Sequence, residues 1–192
     1  MVRPDLLENL RPIEPNHGSY LLAVGALVPE KNLTLFLDAV GKLRSRVKVV
    51  IAGQGPEREN LLSLAKKYGI DLSITYANDG ERLAQLYSDC LLLVQPSLYE
   101  CLSMVPIEAG LFSKPSIIVN SMYSGNREVV LDGVTGCALE DTDVSRLAEK
   151  IEYLLDHPEE RIRLGSNANK VVSELFMPDV RVSELVEALK FE

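Results

Sequence analysis

No run of apolar residues in the 192-residue chain approaches the ~18 that a membrane-spanning helix needs. Cysteine is scarce. Cys90, Cys101 and Cys137 cannot all pair with each other and show no CxxC spacing, so neither a disulfide framework nor a zinc site is suggested, and they are expected to be small buried hydrophobes. Positive charge is short as well: 20 Lys and Arg against 28 Asp and Glu leave a net charge of −8. That balance argues against a protein that neutralises nucleic-acid phosphates over a broad surface, but it leaves room for a local basic pocket holding one small anion. The two histidines, His17 and His157, have no evident partner for nucleophilic catalysis. No His, Cys or carboxylate cluster has metal-ligand spacing. Met1 to Pro15 carries acidic residues and early prolines instead of a basic stretch followed by an apolar one, so it does not read as a secretory signal and a cytoplasmic location is expected.

What is present is the composition of a globular chain. With 46% hydrophobic and 25% charged residues and a mean hydropathy of +0.05, it can bury a sizeable core, and its length suits one domain. Tyr20 to Gly25 is a short apolar run ending in glycine, followed by Leu33, Phe36, Leu37, Val40 and Leu43 at helical spacing. The alternation continues with strands at Val47 to Ala52, Ile70 to Tyr76, Cys90 to Val94, Pro115 to Asn120 and Thr135 to Leu139. Helices are expected from Pro56 to Gly69, Asp79 to Ser88, Ser103 to Phe112 and, briefly, Arg127 to Leu131. Helical stripes follow at Asp143 to Leu155, Pro158 to Phe176 and Val180 to Leu189. Strands alternating with helices predict right-handed crossovers, hence an α/β, Rossmann-like parallel sheet with helices on both faces. Cys90-Leu-Leu-Leu-Val94 lacks any polar alternation and should be a central strand buried on both sides. Residues 1–19 read as a tether, 20–176 as the domain and 177–192 as a C-terminal helix.

In an open parallel sheet, ligands lie beyond the carboxyl ends of the strands. The loop after the second strand, Gly53-Gln-Gly-Pro-Glu-Arg58, begins like a dinucleotide fingerprint, but Arg58 stands where the third glycine belongs and the loop does not follow the first strand. A nicotinamide or flavin site is therefore not expected. Lys31, just ahead of a helix, is placed to hold a phosphate, although alone it would read as a solvated lysine. After the fourth strand, Glu100 and Glu108 flank a helix N-terminus. Carboxylates accept hydrogen bonds and suit the hydroxyls of a sugar and a ribose. Taken alone, the two could equally be a turn cap and a surface ion pair.

The spacing Glu100-x7-Glu108, preceded by Pro96-Ser97-Leu98-Tyr99, joins Val28-Pro-Glu-Lys31, Ala52-Gly-Gln-Gly-Pro-Glu57 and Asp132-Gly-Val-Thr-Gly136 in order along the chain. Together these motifs resemble the C-terminal, donor-binding domain of retaining glycosyltransferases of family 4, one half of a GT-B fold, over about Tyr20 to Phe176. The resemblance implies a nucleotide-sugar donor, transfer of a hexose with retention, no obligatory metal or other cofactor, and an acceptor-binding N-terminal domain or subunit as partner. Any membrane association would belong to that other half. By position, Glu100 and Lys31 would be catalytic, with Glu100 on sugar hydroxyls and Lys31 on the diphosphate. Glu108 would bind the ribose, the backbone N–H groups of Leu102, Ser103 and Met104 would face the distal phosphate, and Cys101 would also be substrate-binding. Gly25 would be a further substrate-binding position, and Tyr76, Ala77 and Asn78 would border the base. Two positions depart from the pattern: Ala26 replaces the usual arginine and Cys101 the usual glycine. They motivate an alternative, a non-catalytic nucleotide-binding or interaction module derived from the same fold.

Overall fold

The computed structural model describes residues 19–77, 79–119 and 124–176. Six strands, β1 (Tyr20–Val24), β2 (Lys48–Ala52), β3 (Leu72–Thr75), β4 (Cys90–Gln95), β5 (Ser116–Val119) and β6 (Gly136–Leu139), form one sheet in the order β3-β2-β1-β4-β5-β6. Every pairing is parallel, as the alternating pattern predicts. The helices are α1 (Leu33–Val40), α2 (Arg58–Tyr68), α3 (Gly80–Asp89), α4 (Met104–Leu111), α5 (Val144–Asp156) and α6 (Pro158–Phe176).

Side chains two apart on a strand share a face, and that rule divides the core. From β1, Leu21 and Ala23 enter the layer under α1, α2 and α5, while Tyr20 and Leu22 enter the layer under α3 and α4. On β4, Leu92 and Val94 face the first layer and Cys90 and Leu93 the second. Cys90 and Leu93 share a face because the register against β1 slips between Tyr20 and Leu21, which pair with Cys90 and Leu92. Leu91 is the extra residue, as in a bulge. The helix α6 gives Leu164 to the first layer and Val172 and Phe176 to the second, so its 19 residues wrap the β6 edge of the sheet.

Several boundaries differ from the sequence reading. The first helix stops at Val40, and Leu43 packs on the core from the turn beyond. Pro56 lies in the turn before α2, whose cap is Glu57. The third strand is shorter than expected at both ends. The helix expected at Arg127 to Leu131 is instead a 3₁₀ turn, Gly125–Glu128, because the following residues are held by Thr135: its hydroxyl accepts the Leu131 N–H at 2.8 Å and donates to the Val129 carbonyl at 2.7 Å. The expected tether, apart from Ser19, and the expected helix at Val180 to Leu189 lie outside the described residues. No described helix is long and apolar enough to cross a membrane.

Candidate functional site

The strand order reverses between β1 and β4, so the loops leaving these neighbours run to opposite sides and open a crevice at their carboxyl ends. The expected catalytic pair meets there. Lys31 ends a 3₁₀ turn, Pro29–Lys31, and the next residue, Asn32, takes a left-handed φ of 49° that turns the chain into α1. The lysine stem passes over Gly25, whose φ of +150° suits glycine, with Lys31 Cε 3.6 Å from where a Cβ would stand. Its Nζ pairs with Glu100 Oε1. The two loops are further tied by the Leu98 N–H, which donates to the Glu30 carbonyl at 2.9 Å.

Behind this pair lies a set of buried polar groups. Gln95 ends β4 and donates through Nε2 to Glu100 Oε1 at 3.1 Å and to Ser103 Oγ at 2.7 Å. Ser103 caps α4 by accepting the Val105 N–H at 3.3 Å. Asn126 reaches in from the 3₁₀ turn after β5: its Oδ1 accepts the Ser103 N–H at 2.8 Å, and its Nδ2 donates to Gln95 Oε1 at 3.4 Å. Gly125 allows this approach, since a Cβ there would lie 2.1 Å from the Cys101 carbonyl oxygen. Ser97, on the same loop as Glu100, is buried, and its hydroxyl has no hydrogen-bond partner among the described residues.

The Ser103 N–H donates to Asn126 Oδ1, and the Ser103 hydroxyl takes the N–H of Val105. The start of α4 therefore favours an anion through its dipole more than through these two N–H groups. Cys90 and Cys137 are buried as expected, but Cys101, in the loop ahead of α4, is exposed, as is Leu102, and Met104 packs half-buried on the second layer. Glu108, in the second turn of α4, is only 4% exposed and accepts the Tyr87 hydroxyl at 2.8 Å.

A cleft of about 350 Å³ continues from the crevice over the ends of β1, β2 and β3, lined by Gly25, Ala26, Gly53, Gln54, Tyr76 and Ala77 among others. Gly53 closes its floor, since a Cβ there would fall 1.8 Å from the Gly25 carbonyl oxygen. Tyr76 keeps 53% of its surface exposed, and Asn78 lies outside the described residues. Depressions of about 510 and 560 Å³ lie along α5 and beside the amino ends of β2 and β3, away from the carboxyl end where a parallel sheet binds ligands. Gln95, Asn126 and Tyr87 escaped the sequence reading. A glutamine closing an otherwise apolar strand was the one signal that could have marked any of them.

The profile of the family Glycosyl transferases group 1 matches residues 10–171. The chain belongs to this family. Alpha-D-kanosaminyltransferase of Streptomyces kanamyceticus is 32% identical over 153 residues, covering 77% of this chain and 39% of that protein. The catalytic domain of cholesterol-alpha-glucosyltransferase from Helicobacter pylori superposes with a TM-score of 0.74 at 25% identity, over 81% of this chain and 98% of that one. Anabaena HepE, solved with UDP and glucose, superposes with a TM-score of 0.79 at 21% identity, over 90% of this chain and 48% of that one; at that identity the likeness is one of fold. The chain thus spans about two fifths of the length of the curated relative above.

Proposed function

We propose that the chain is the donor-binding half of a retaining, family 4 glycosyltransferase of GT-B architecture, which binds a nucleotide-sugar and takes part in moving its hexose to an acceptor held by another domain. The observation that carries this reading is the meeting of Lys31 and Glu100 at the strand-order reversal, a cation and an acceptor side by side in the crevice where such sheets bind nucleotides. Support for a nucleotide-sugar comes from the family match and from the UDP in HepE.

On this reading the base lies in the cleft bordered by Tyr76 and Ala77, and the diphosphate lies near Lys31 and the start of α4. As the bond between the anomeric carbon and the phosphate oxygen breaks, negative charge grows on the leaving diphosphate. Lys31 and the α4 dipole offset that charge, so no general acid is assigned. Glu100 accepts hydroxyls of the sugar, and the Glu108 carboxylate accepts ribose hydroxyls. The reading assigns charge neutralisation to these groups without calling on a metal.

Ala26 favours a second reading. It lines the cleft where a second cation is usual in the family, which leaves the phosphates one lysine and would suit a module that binds nucleotide without turnover. Calorimetric titration of the chain with UDP and GDP tests the shared core of both. Lys31→Gln should weaken binding by about tenfold or more, since hydrogen bonds to charged groups contribute ~1.5–3 kcal/mol. Equal affinity in the variant would remove the phosphate from Lys31 and the reading with it.

A further inference from the structure

The strand β4 is apolar from Cys90 to Val94 and then ends on a glutamine that is 5% exposed. Burying an amide is costly unless its hydrogen-bonding groups are paired. Both amide hydrogens of Gln95 and its oxygen are paired, and the direction of every bond follows from one end of the chain. The Ser103 N–H can only donate, so Asn126 turns Oδ1 towards it. Asn126 Nδ2 is then left facing Gln95, which must present its own oxygen to it. Both hydrogens of the Gln95 amide are therefore committed to the other side, one to Ser103 Oγ and one to Glu100 Oε1. A backbone group of fixed polarity thus fixes the donor that reaches the carboxylate.

We propose that Gln95, oriented by Asn126, is the positioning residue for Glu100. It pins Oε1 and leaves Oε2, which has no partner among the described residues, to accept a hydroxyl of the donor sugar. The inference rests on the proposed role of Glu100 at the sugar. Lys31 also holds Oε1 in the free protein, but a diphosphate in the crevice draws the lysine's charge to itself. A neutral amide is not drawn away in this manner. Gln95 therefore matters most once the donor is bound, and it acts on recognition of the sugar while leaving recognition of the nucleotide alone.

The test is calorimetric titration of the 192-residue chain with UDP, GDP, UDP-glucose and GDP-mannose. The variants are Gln95→Met, which keeps the bulk and removes the donor, and Asn126→Asp, which still accepts from Ser103 but cannot donate to Gln95. Each should leave the nucleoside diphosphate Kd within about twofold while raising the nucleotide-sugar Kd about three- to tenfold, the scale of one hydrogen bond. In a Glu100→Ala background, Gln95→Met should change nothing further, because a residue acting only through another shows no separate effect. Equal losses for nucleotide and nucleotide-sugar, or additive losses in the double variant, would overturn the proposal and leave a merely structural glutamine. Should Gln95→Met fail to fold, Asn126→Asp and its double variant with Glu100→Ala carry the same comparison. If Glu100→Ala alone leaves nucleotide-sugar affinity unchanged, the assignment of Glu100 to the sugar fails first. Absence of any nucleotide binding by the unaltered chain would remove the functional reading and this inference together.

Discussion

Glu108 shows how one side chain can be committed to the fold before any ligand arrives. Its carboxylate is buried and takes the hydroxyl of Tyr87, itself fully buried and stacked on Phe112 with ring centroids 5.7 Å apart. Glu108→Ala should therefore cost about 1–3 kcal/mol of stability by stripping the phenol of this acceptor, visible as a lower urea midpoint at unchanged slope. Glu108→Gln keeps an acceptor for Tyr87 and should lie nearer the unaltered chain in stability while still weakening nucleotide binding, so the pair of variants separates fold from site. Lys114 is a second residue whose placement is costly. It is 5% exposed, and burial pushes its ammonium below the usual lysine range, against the pull of Cys90 and Asp89. The unfolded chain then holds this proton to higher pH than the folded one. Stability must rise with pH between the folded value and the ordinary one near 10.5, with the cost carried in full below the folded value. Lys114→Met should raise Tm at pH 7, and its advantage should shrink as pH rises towards that ordinary value; an advantage independent of pH would assign the gain to packing. At this scale the charged residues were legible, because Lys31, Glu100 and Glu108 stand close to the carboxyl ends of strands, where a parallel sheet binds its ligands. Gln95, Asn126 and Tyr87 were not, because hydrogen bonds between residues 8 to 31 positions apart leave no local pattern.

Elements were read from the sequence where one period dominated. The strands β1, β2 and β4 are short apolar runs, and a chain with two hydrophobic layers to fill has little choice of where to put them. Ends of elements were less legible, since they depend on what the next segment does. The 3₁₀ turn Gly125–Glu128 is the clearest case. Its apolar continuation, Val129 and Val130, is buried in the second layer and suggests a helix, yet Thr135 holds the chain in a turn and Asn126 is drawn into the crevice. The turn meets the Glu100 loop backbone to backbone, with the Gly125 N–H donating to the Cys101 carbonyl at 2.6 Å. A methyl group at Gly125 has no room there, with 2.1 Å to the carbonyl oxygen. Gly125→Ala should push the two loops apart, costing about 1–3 kcal/mol as overpacking does. Because the shift carries Asn126 away from Ser103, nucleotide-sugar affinity should fall more than nucleotide affinity. A thermal melt and two titrations check this, and an unchanged melting curve would mean that the loops do not meet as closely as described.

At the scale of the whole molecule, the parallel sheet with two covered faces was legible because alternating strands and helices admit few topologies, and the strand-order reversal then localised the crevice. The chain matches only 39% of the length of Alpha-D-kanosaminyltransferase and 48% of that of HepE, so the acceptor side of the proposed reaction has no residue here to be read from. On the proposed reading, binding and transfer make different demands. Holding a nucleotide needs the crevice, and every residue assigned to it except Asn78 stands within the described residues. Transfer also needs an acceptor oxygen held against the anomeric carbon, and fixing two reactants together can supply ~7–11 kcal/mol of the barrier. The isolated chain should therefore gain stability from a nucleoside diphosphate: at 100 times its Kd the ligand adds about 2.7 kcal/mol, or roughly 5 to 11 °C in Tm for a chain of this size. The same chain should transfer no sugar from UDP-glucose or GDP-mannose to added sugar acceptors. Joined to a matching acceptor-binding domain it should do so, and Glu100→Gln should then lower kcat more than it raises KM, because an interaction that strengthens in the transition state shows in kcat. If the joined protein binds donor but turns over only after Ala26→Arg and Cys101→Gly are introduced, the missing phosphate contacts were the obstacle and the non-catalytic reading holds. Rapid transfer by the isolated chain would contradict both readings, since it would place the acceptor site within these 192 residues.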